Sequence, residues 1–179
     1  GHLRGGARSK DFEDAIQWLA DCGLVFRVPR VNKPGLPLSG YVNDTAFKLF
    51  LNDVGLLAAM SDLDARTLLE GSQIFEEYKG SLTEQYVLTQ LVSELSLAPF
   101  YYSEERATAE IDFLVQLAGQ VVPIEVKAAE NLHSKSLKVY ADKYKPKYVI
   151  RTSLSDFREE DWMANIPLYA ISCLKTIVK

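Results

Sequence analysis

The spacing of apolar and polar residues over the first fifty positions predicts one helix followed by two strands. Residues 9–23 repeat apolar side chains at helical intervals, with Ser9 as the expected N-cap and Gly23 as the end of the helix. Residues 24–31 and 46–52 alternate as strands do, and a loop rich in Pro and Gly separates them. This order is typical of the second half of a winged helix, and equally of a helix packed on a hairpin.

The rest of the chain predicts helices first and then mostly strands. Residues 61–79 are acidic and helical in pattern, which indicates a connector, and Gly80 precedes an amphipathic helix. The later elements are expected as strands over 100–103, 110–117, 121–128 and 147–153, a helix over 134–145 capped by Ser134, and a final strand or helix over 166–178. We therefore expect an α/β protein with a winged-helix-like piece at 1–60, of which residues 1–2 look like a tag remnant, and a second domain at 80–179.

The composition argues against a generally basic surface. The 179 residues carry a formal net charge of −4, although residues 127–151 hold seven basic side chains against two acidic ones. Such a local excess can face a polyanion, but a solvated lysine-rich helix is the commoner cause. Cys22 and Cys173 lie far apart, so we expect buried free thiols and a cytoplasmic location. No apolar run is long enough for a membrane helix, and no membrane partner is expected.

Three charged residues interrupt two segments that otherwise have the pattern of buried strands. They are Asp112 in the first segment, and Glu125 and Lys127 in the second. Charged side chains are rarely buried without a partner, so their position needs a reason. A two-residue turn at 118–119 would pair Asp112 with Glu125, whereas a turn at 119–120 would pair Asp112 with Lys127. In both registers the three side chains share one face of the sheet.

Glu84 is expected to join these residues from the amphipathic helix. It shares the inward-facing helical positions with Leu88, Leu91 and Leu95. Three clustered carboxylates repel one another unless a cation lies among them, and oxygen-only ligands suit Mg²⁺ or Mn²⁺. A lysine beside such an ion can orient or deprotonate an attacking water, while the metal polarises a phosphoryl oxygen. The constellation therefore predicts hydrolysis of a phosphodiester.

An acid on a helix, an Asp on one strand and a (D/E)-x-K on the next resemble the signature of the PD-(D/E)XK, or restriction-endonuclease-like, nuclease superfamily. The matching residues are Glu84, Asp112, and Glu125 with Lys127. The resemblance implies a four-stranded mixed sheet flanked by helices. It also implies an Mg²⁺ or Mn²⁺ ion held by the three carboxylates and by the backbone carbonyl of Val126, with Lys127 at the nucleophilic water.

Nearly the whole chain is similar to the C-terminal region of a family of prokaryotic AAA-type ATPases. The segments that carry the likeness are, in order, ARSKDFEDAIQWLADCGLV, FKLFLNDVGLL, GSLTEQYVLTQL, EIDFLV, PIEVKA, SKSLKVY and IPLYAI. In that family an ATP-binding core is followed by a winged helix and a domain of unknown function with the nuclease-like motif. The resemblance implies a fragment whose partners are its own ATPase core and DNA. ATP would bind only in the missing core, since no G-x-x-x-x-G-K-[ST] motif occurs here.

Three further residues are candidates for contact with nucleic acid. Lys135 and Lys138 begin the helix after the E-x-K strand, which in related nucleases often approaches the phosphate backbone, and Tyr102 is a candidate for stacking on a base. A solvated helix face and core packing are the alternative explanations. For the charged constellation the alternative is a structural ion-pair network. The domain would then be a non-catalytic module that binds DNA or recruits a protein to the ATPase.

Overall fold

Strands from both predicted parts of the chain pair into one mixed sheet. A computed structural model describes residues 12–61, 73–104, 109–128 and 134–179, with side chains described throughout except at 73–77. The strands are β1 (Val25–Val31), β2 (Val42–Leu51), β3 (Phe100–Ser103), β4 (Glu110–Leu117), β5 (Gln120–Val126), β6 (Ile150–Ser153), β7 (Arg158–Glu160) and β8 (Met163–Pro167). The helices are α1 (Glu13–Asp21), α2 (Val54–Met60), α3 (Gln73–Ser93), α4 (Lys135–Tyr144) and α5 (Leu174–Ile177), with 3-10 turns at Leu38–Tyr41 and Leu168–Cys173.

The sheet is continuous across the boundary that the sequence predicts near residue 60. Its strand order is β2-β1-β3-β4-β5-β6-β8-β7, and β1 pairs in parallel with β3 through Arg30↔Tyr101 and Val31↔Tyr102. The described part of the chain thus forms eight strands instead of the four that the resemblance implies. Pairing between distant segments is not visible in local periodicity, which is why the wider sheet was not predicted. The α/β class is confirmed, and the winged-helix and nuclease-like assignments stay predictions.

Helix α1 ends where the sequence predicts. Gly23 has a φ of 71°, a conformation that glycine adopts without steric cost. The N–H of Leu24 then donates to the carbonyl of Leu19 at 3.0 Å, which is the usual bond of a glycine-terminated helix. The predicted N-cap, Ser9, lies outside the described residues, and the described helix begins at Glu13.

Helix α3 is longer than predicted. It begins at Gln73 and runs through Gly80 instead of starting after it, so the end of the predicted helical connector is part of the same helix. A side chain at Gly80 would meet no atom within 4 Å, and the glycine costs only about 1 kcal/mol of helix propensity. Burial of Val87, Leu88 and Leu91 against the sheet outweighs that cost.

Both faces of the sheet are covered by apolar packing. Helix α3 packs on the face that contains Phe113 and Ile124, and α4 packs on the face that contains Ile111 and Leu114. Strand β4 begins at Glu110, and β5 ends at Val126. The acids that these strands carry at positions 112 and 125 therefore lie within two residues of a strand end, at the rim of the apolar layers.

The C-terminal segment is mainly helical. Strand β8 ends at Pro167 and is followed by the second 3-10 turn and by α5, so helix is the correct alternative for most of residues 166–178. The short strand β7, which pairs with β8, was not predicted, because three consecutive charged residues carry no strand periodicity.

Two smaller expectations concern the cysteines and the membrane. Cys22 and Cys173 are both exposed, so the prediction of buried thiols is wrong; each lies at the end of a helical segment. Among the described helices, none combines the length and the apolar character needed to cross a membrane.

Gln85 joins α3 to β2, one of the two edge strands of the sheet. Its buried side chain accepts a hydrogen bond from the N–H of Leu51 at 2.9 Å and donates one to the Leu51 carbonyl. We expect Gln85→Leu to lower the free energy of unfolding by about 2 kcal/mol, because both backbone groups would lose their partner. Urea denaturation measures this, with Gln90→Leu on the same helix as the control. Unchanged stability of the Gln85 variant would contradict the prediction.

Candidate functional site

The turn between β4 and β5 decides which charged residues face each other. Residues 118–119 have φ angles of 49° and 70°, as a two-residue type I′ turn requires. Leu117 accordingly pairs with Gln120, which is the first of the two registers considered from the sequence. The paired residues continue to Phe113↔Ile124, so the alternative register is wrong. Beyond that pair β4 shifts its register against β3 between Ile111 and Leu114, and Asp112 reaches β5 through a hydrogen bond from the Val126 N–H instead of a register pair with Glu125.

Asp112 is a partly buried acid with one backbone hydrogen bond. The N–H of Val126 donates to its Oδ2 at 2.7 Å, which fixes the carboxylate at the junction of the two strands. Burial, together with the negative charges of Glu84 and Glu125, raises the pKa of Asp112 to about 7. The Val126 N–H and the ammonium of Lys48 lower this pKa, but by less. Asp112 therefore gains or loses its proton near neutral pH.

Glu125 is a buried carboxylate with one oxygen engaged and one without a partner. The residue is only 5% exposed, and its Oε1 lies 2.7 Å from the Nζ of Lys127. Its Oε2 is buried and has no hydrogen-bond partner among the described residues. A buried polar atom in this state costs free energy unless a ligand or a water binds it.

A second buried charge stands beside Glu125 on the neighbouring strand. Arg151 of β6 is its register partner, and the charge of Glu125 acts on the guanidinium. The Nε of Arg151 donates to Asn165 at 2.9 Å, and its Nη2 donates to Glu160 at 3.2 Å. Burial lowers the pKa of Arg151, although Glu160 and Glu125 raise it. On the β6 side of β5, Glu125 is thus bordered by a polar network that crosses β6, β7 and β8.

Glu84 reaches the strand carboxylates from α3, as its helical position predicts. It is half-buried, and burial raises its pKa, as do the negative charges of Glu110 and Glu125. Lys48 and Lys127 lower the same pKa. These mutual effects show that the helix acid and the strand acids belong to one electrostatic cluster.

Two members of this cluster, Lys48 and Glu110, were not predicted from the sequence. Lys48 of β2 lies 4.0 Å from Glu84 and donates a hydrogen bond to Glu110 at the start of β4. Its ammonium also lies 5.1 Å from the centroid of the Tyr101 ring. Like Asp112, Lys48 interrupts an apolar strand segment, and that was the available signal. Its partners lie 36 and 62 residues away, so only the tertiary fold brings them together.

The three candidates for nucleic-acid contact have different surroundings. Tyr102 is buried, its ring packs edge-on against Tyr140 and Tyr144, and its hydroxyl lies 2.7 Å from that of Tyr144. Core packing, the alternative explanation, therefore accounts for Tyr102, and its ring is not available to a base. Lys135 and Lys138 are exposed on α4, where Lys138 forms an ion pair of 2.7 Å with the next-turn residue Asp142. Their role in nucleic-acid contact stays a prediction.

The predicted metal ligands are only partly assembled. Within the described ranges, no three Asp, Glu, His or Cys side chains are placed to hold one metal ion. Asp112 and Glu125 nevertheless provide two carboxylates that interact electrostatically, and one oxygen of Glu125 is buried without a partner among the described residues. Mg²⁺ is often held by one or two carboxylates with water and substrate phosphate, so this pair fits the chemistry of that ion. Participation of Glu84 and of the Val126 carbonyl stays a prediction.

Comparison with known families covers both parts of the chain. Residues 79–171 match the family model described as Domain of unknown function (DUF4143), and residues 2–67 match a second one, Domain of unknown function (DUF8612). No curated protein and no solved structure matches the chain. The first match extends over more than half of the sequence and includes Glu84, Asp112, Glu125 and Lys127. The chain therefore belongs to the family described as Domain of unknown function (DUF4143).

Proposed function

We propose that this chain carries a nuclease-like site that hydrolyses phosphodiester bonds of DNA with Mg²⁺ or Mn²⁺. The observation that carries the proposal is the geometry around Glu125. Its buried carboxylate is next to Val126, whose N–H binds Asp112; one oxygen is held by Lys127, and the other has no partner among the described residues. Two acids and one lysine at adjoining strand ends are the groups that this chemistry needs.

Each residue has a distinct role in the proposed reaction. Asp112 and Glu125 would hold the divalent ion, with Glu84 and the Val126 carbonyl as further ligands. When bound, that ion supplies positive charge to a phosphoryl oxygen of the substrate. Lys127 neutralises Glu125 at 2.7 Å and carries an ammonium that can hydrogen-bond the attacking water. Since the lysine side chain is about 29% exposed, solvent can reach it.

We further propose that the site serves a larger AAA-type protein. The order of the sequence segments quoted above supports this. The 179 residues contain no G-x-x-x-x-G-K-[ST] motif, so ATP would bind in an ATPase core outside them. That core and DNA are the proposed partners.

A second candidate function is a non-catalytic binding module. It is favoured by the ion pairs that already engage the cluster, in which Lys48 contacts Glu84 and Glu110, and Lys127 contacts Glu125. In this case the charges stabilise the sheet, and the domain binds DNA or a protein without cutting it.

Cleavage assays separate the two functions. The purified chain is incubated with plasmid and with single-stranded DNA at millimolar Mn²⁺ or Mg²⁺. We expect Lys127→Met to lower the cleavage rate at least about 100-fold, because the water loses its hydrogen-bonding partner. Glu125→Gln is expected to abolish cleavage, since it removes a metal ligand while keeping the shape of the side chain.

The control for these variants is Glu94→Gln, which removes an exposed carboxylate just after α3. It should cut DNA at the wild-type rate. Cleavage that persists unchanged in Glu125→Gln would reveal a contaminating nuclease and contradict the proposal. Binding of DNA by wild type and variant alike, with no cleavage by either, would establish the non-catalytic module instead.

A further inference from the structure

Lys48 lies among acidic side chains that come from two other elements. Its Nζ is 4.0 Å from Oε2 of Glu84 on α3, and it donates to Oε1 of Glu110 on β4. The charge of Asp112, two residues along β4, also acts on this ammonium. A single lysine thus faces three carboxylates, and one positive charge cannot neutralise all of them.

The position of Lys48 is fixed by the sheet and by an aromatic ring. The residue pairs with Val28 of β1, and the ammonium lies 5.1 Å from the ring centroid of Tyr101, within the range of a cation–π contact. Its side chain is about 26% exposed. The lysine is therefore held at the rim of the cluster, where a solvated cation also has access.

The same cluster contains the unpartnered oxygen of Glu125. This residue is 5% exposed, its Oε2 has no partner among the described residues, and its charge raises the pKa of both Glu84 and Asp112. The unpartnered oxygen is an observation independent of Lys48, and it indicates that the carboxylates of the cluster are not fully compensated by the cations of the described residues.

We propose that Lys48 is a positioning residue that acts as the internal counter-cation of Glu84, Glu110 and Asp112. It would compete with a divalent cation for these carboxylates. The inference rests on the proposed metal site. It assigns to the N-terminal segment, which matches a different family model, a direct effect on the site in the C-terminal family domain. The lysine keeps Glu84 and the strand acids together in the absence of metal and weakens metal binding when metal is present.

The structure also provides a place for the displaced ammonium. A cavity of about 430 Å³ adjoins the cluster and is lined by Lys48 and Glu84 together with Phe50, Tyr78 and Ser81. A flexible four-carbon side chain can withdraw its head group into this space while its strand stays paired. A change of side-chain conformation at Lys48 is therefore enough to release the carboxylates that it engages.

The test is a thermal titration with MnCl₂, which measures metal binding without measuring activity. Metal that binds the folded state raises the melting temperature in proportion to ln(1 + [Mn²⁺]/Kd). We expect Lys48→Met to lower the Kd for Mn²⁺ fitted from this titration about tenfold, since a competing positive charge is removed. If Lys48→Met folds poorly, Lys48→Gln should show the same decrease in the Kd for Mn²⁺. Lys48→Arg should retain the wild-type Kd.

Lys143→Met is the matched control, because Lys143 also pairs with a glutamate, Glu104, but outside the cluster. It should leave the Mn²⁺ response unchanged. Equal or weaker Mn²⁺ binding by Lys48→Met and Lys48→Gln, relative to wild type, would overturn the inference. A merely structural lysine would lower the starting melting temperature of these variants without tightening their response to metal.

The outcomes for Lys48 and for the nuclease are distinguishable. Tighter Mn²⁺ binding by Lys48→Met, with no DNA cleavage by any variant, supports the counter-cation and counts against the nuclease. Cleavage that depends on Glu125, with an identical Mn²⁺ response in wild type and Lys48→Met, supports the nuclease and overturns the counter-cation. If Mn²⁺ changes the melting temperature of neither wild type nor Lys48→Met, both the counter-cation role and the metal site are overturned.

Discussion

Asp112→Asn is expected to make the protein more stable at pH 8 and to leave its stability near pH 4 almost unchanged. The folded protein holds the pKa of Asp112 at about 7, against an ordinary value of 3.8. Between these values the folded state binds a proton that the unfolded state has lost, so the stability of the wild type falls as pH rises from about 4 to about 7. Below that window both states are protonated, and above it no further loss occurs.

Asparagine removes this dependence without removing the backbone contact. Its side-chain carbonyl can accept from the Val126 N–H as the Oδ2 of Asp112 does now, at 2.7 Å. A pKa difference of one unit corresponds to about 1.4 kcal/mol, so the variant should gain roughly 2–4 kcal/mol over wild type at pH 8. Urea denaturation from pH 4 to pH 8.5 in the presence of a chelator measures the difference.

Asp44→Asn is the control for this series, because Asp44 is an exposed aspartate on β2. Its stability relative to wild type should not follow the same pH profile. A gain for Asp112→Asn of the same size at every pH would show that burial of the charge is not the cause. A loss at pH 8 would show that the carboxylate is stabilised in the folded protein, contrary to the electrostatics of the cluster.

Lys127→Met is expected to destabilise the protein by about 2 kcal/mol or more, whereas the double variant Glu125→Gln/Lys127→Met should lose much less. Removing one partner of a buried ion pair typically costs about 3–5 kcal/mol, because the other charge is left buried without compensation. The destabilisation expected for Lys127→Met is smaller than this, because the Lys127 side chain is partly exposed and screened by water. The Oε2 of Glu125 already lacks a partner, so loss of the lysine would leave no hydrogen bond to the carboxylate from the groups described above.

A double-mutant cycle in urea at pH 8 measures the coupling between the two residues. The same cycle for Lys143→Met and Glu104→Gln is the control, since the Lys143 side chain is half-exposed and its pair should show a smaller coupling. Additive effects of the Glu125 and Lys127 substitutions would mean that the pair does not act as a unit. In that case the proposed role of Lys127 in holding Glu125 would be wrong as well.

The site could be anticipated from the sequence where it depends on short-range geometry. Side chains two apart in a strand share a face, which placed Glu125 with Lys127. The two-residue turn predicted that Asp112 would lie close to them, and the N–H of Val126 does bind Asp112, although β4 shifts its register at that point. Helical periodicity predicted that the Glu84 side chain faces the sheet. Each of these inferences needed fewer than forty residues of chain.

Other features required contacts that no local pattern encodes. The pairing of β1 with β3 widens the sheet to eight strands, and Gln85 ties α3 to β2. These contacts bring Lys48 to Glu84 and Glu110. Tyr102 could not be assigned from the sequence either, because an exposed and a buried aromatic residue in a short strand have the same pattern.

The sequence by itself determined the α/β class, the helices and strands around the acidic pair, and the proximity of Glu125 and Lys127. Tertiary structure alone decided the strand order, the burial that shifts the pKa of Asp112, and the identity of the lysine that faces the helix acid. The physical reason is that periodicity fixes the direction of a side chain relative to its own element. Burial and charge depend instead on which distant elements pack against it.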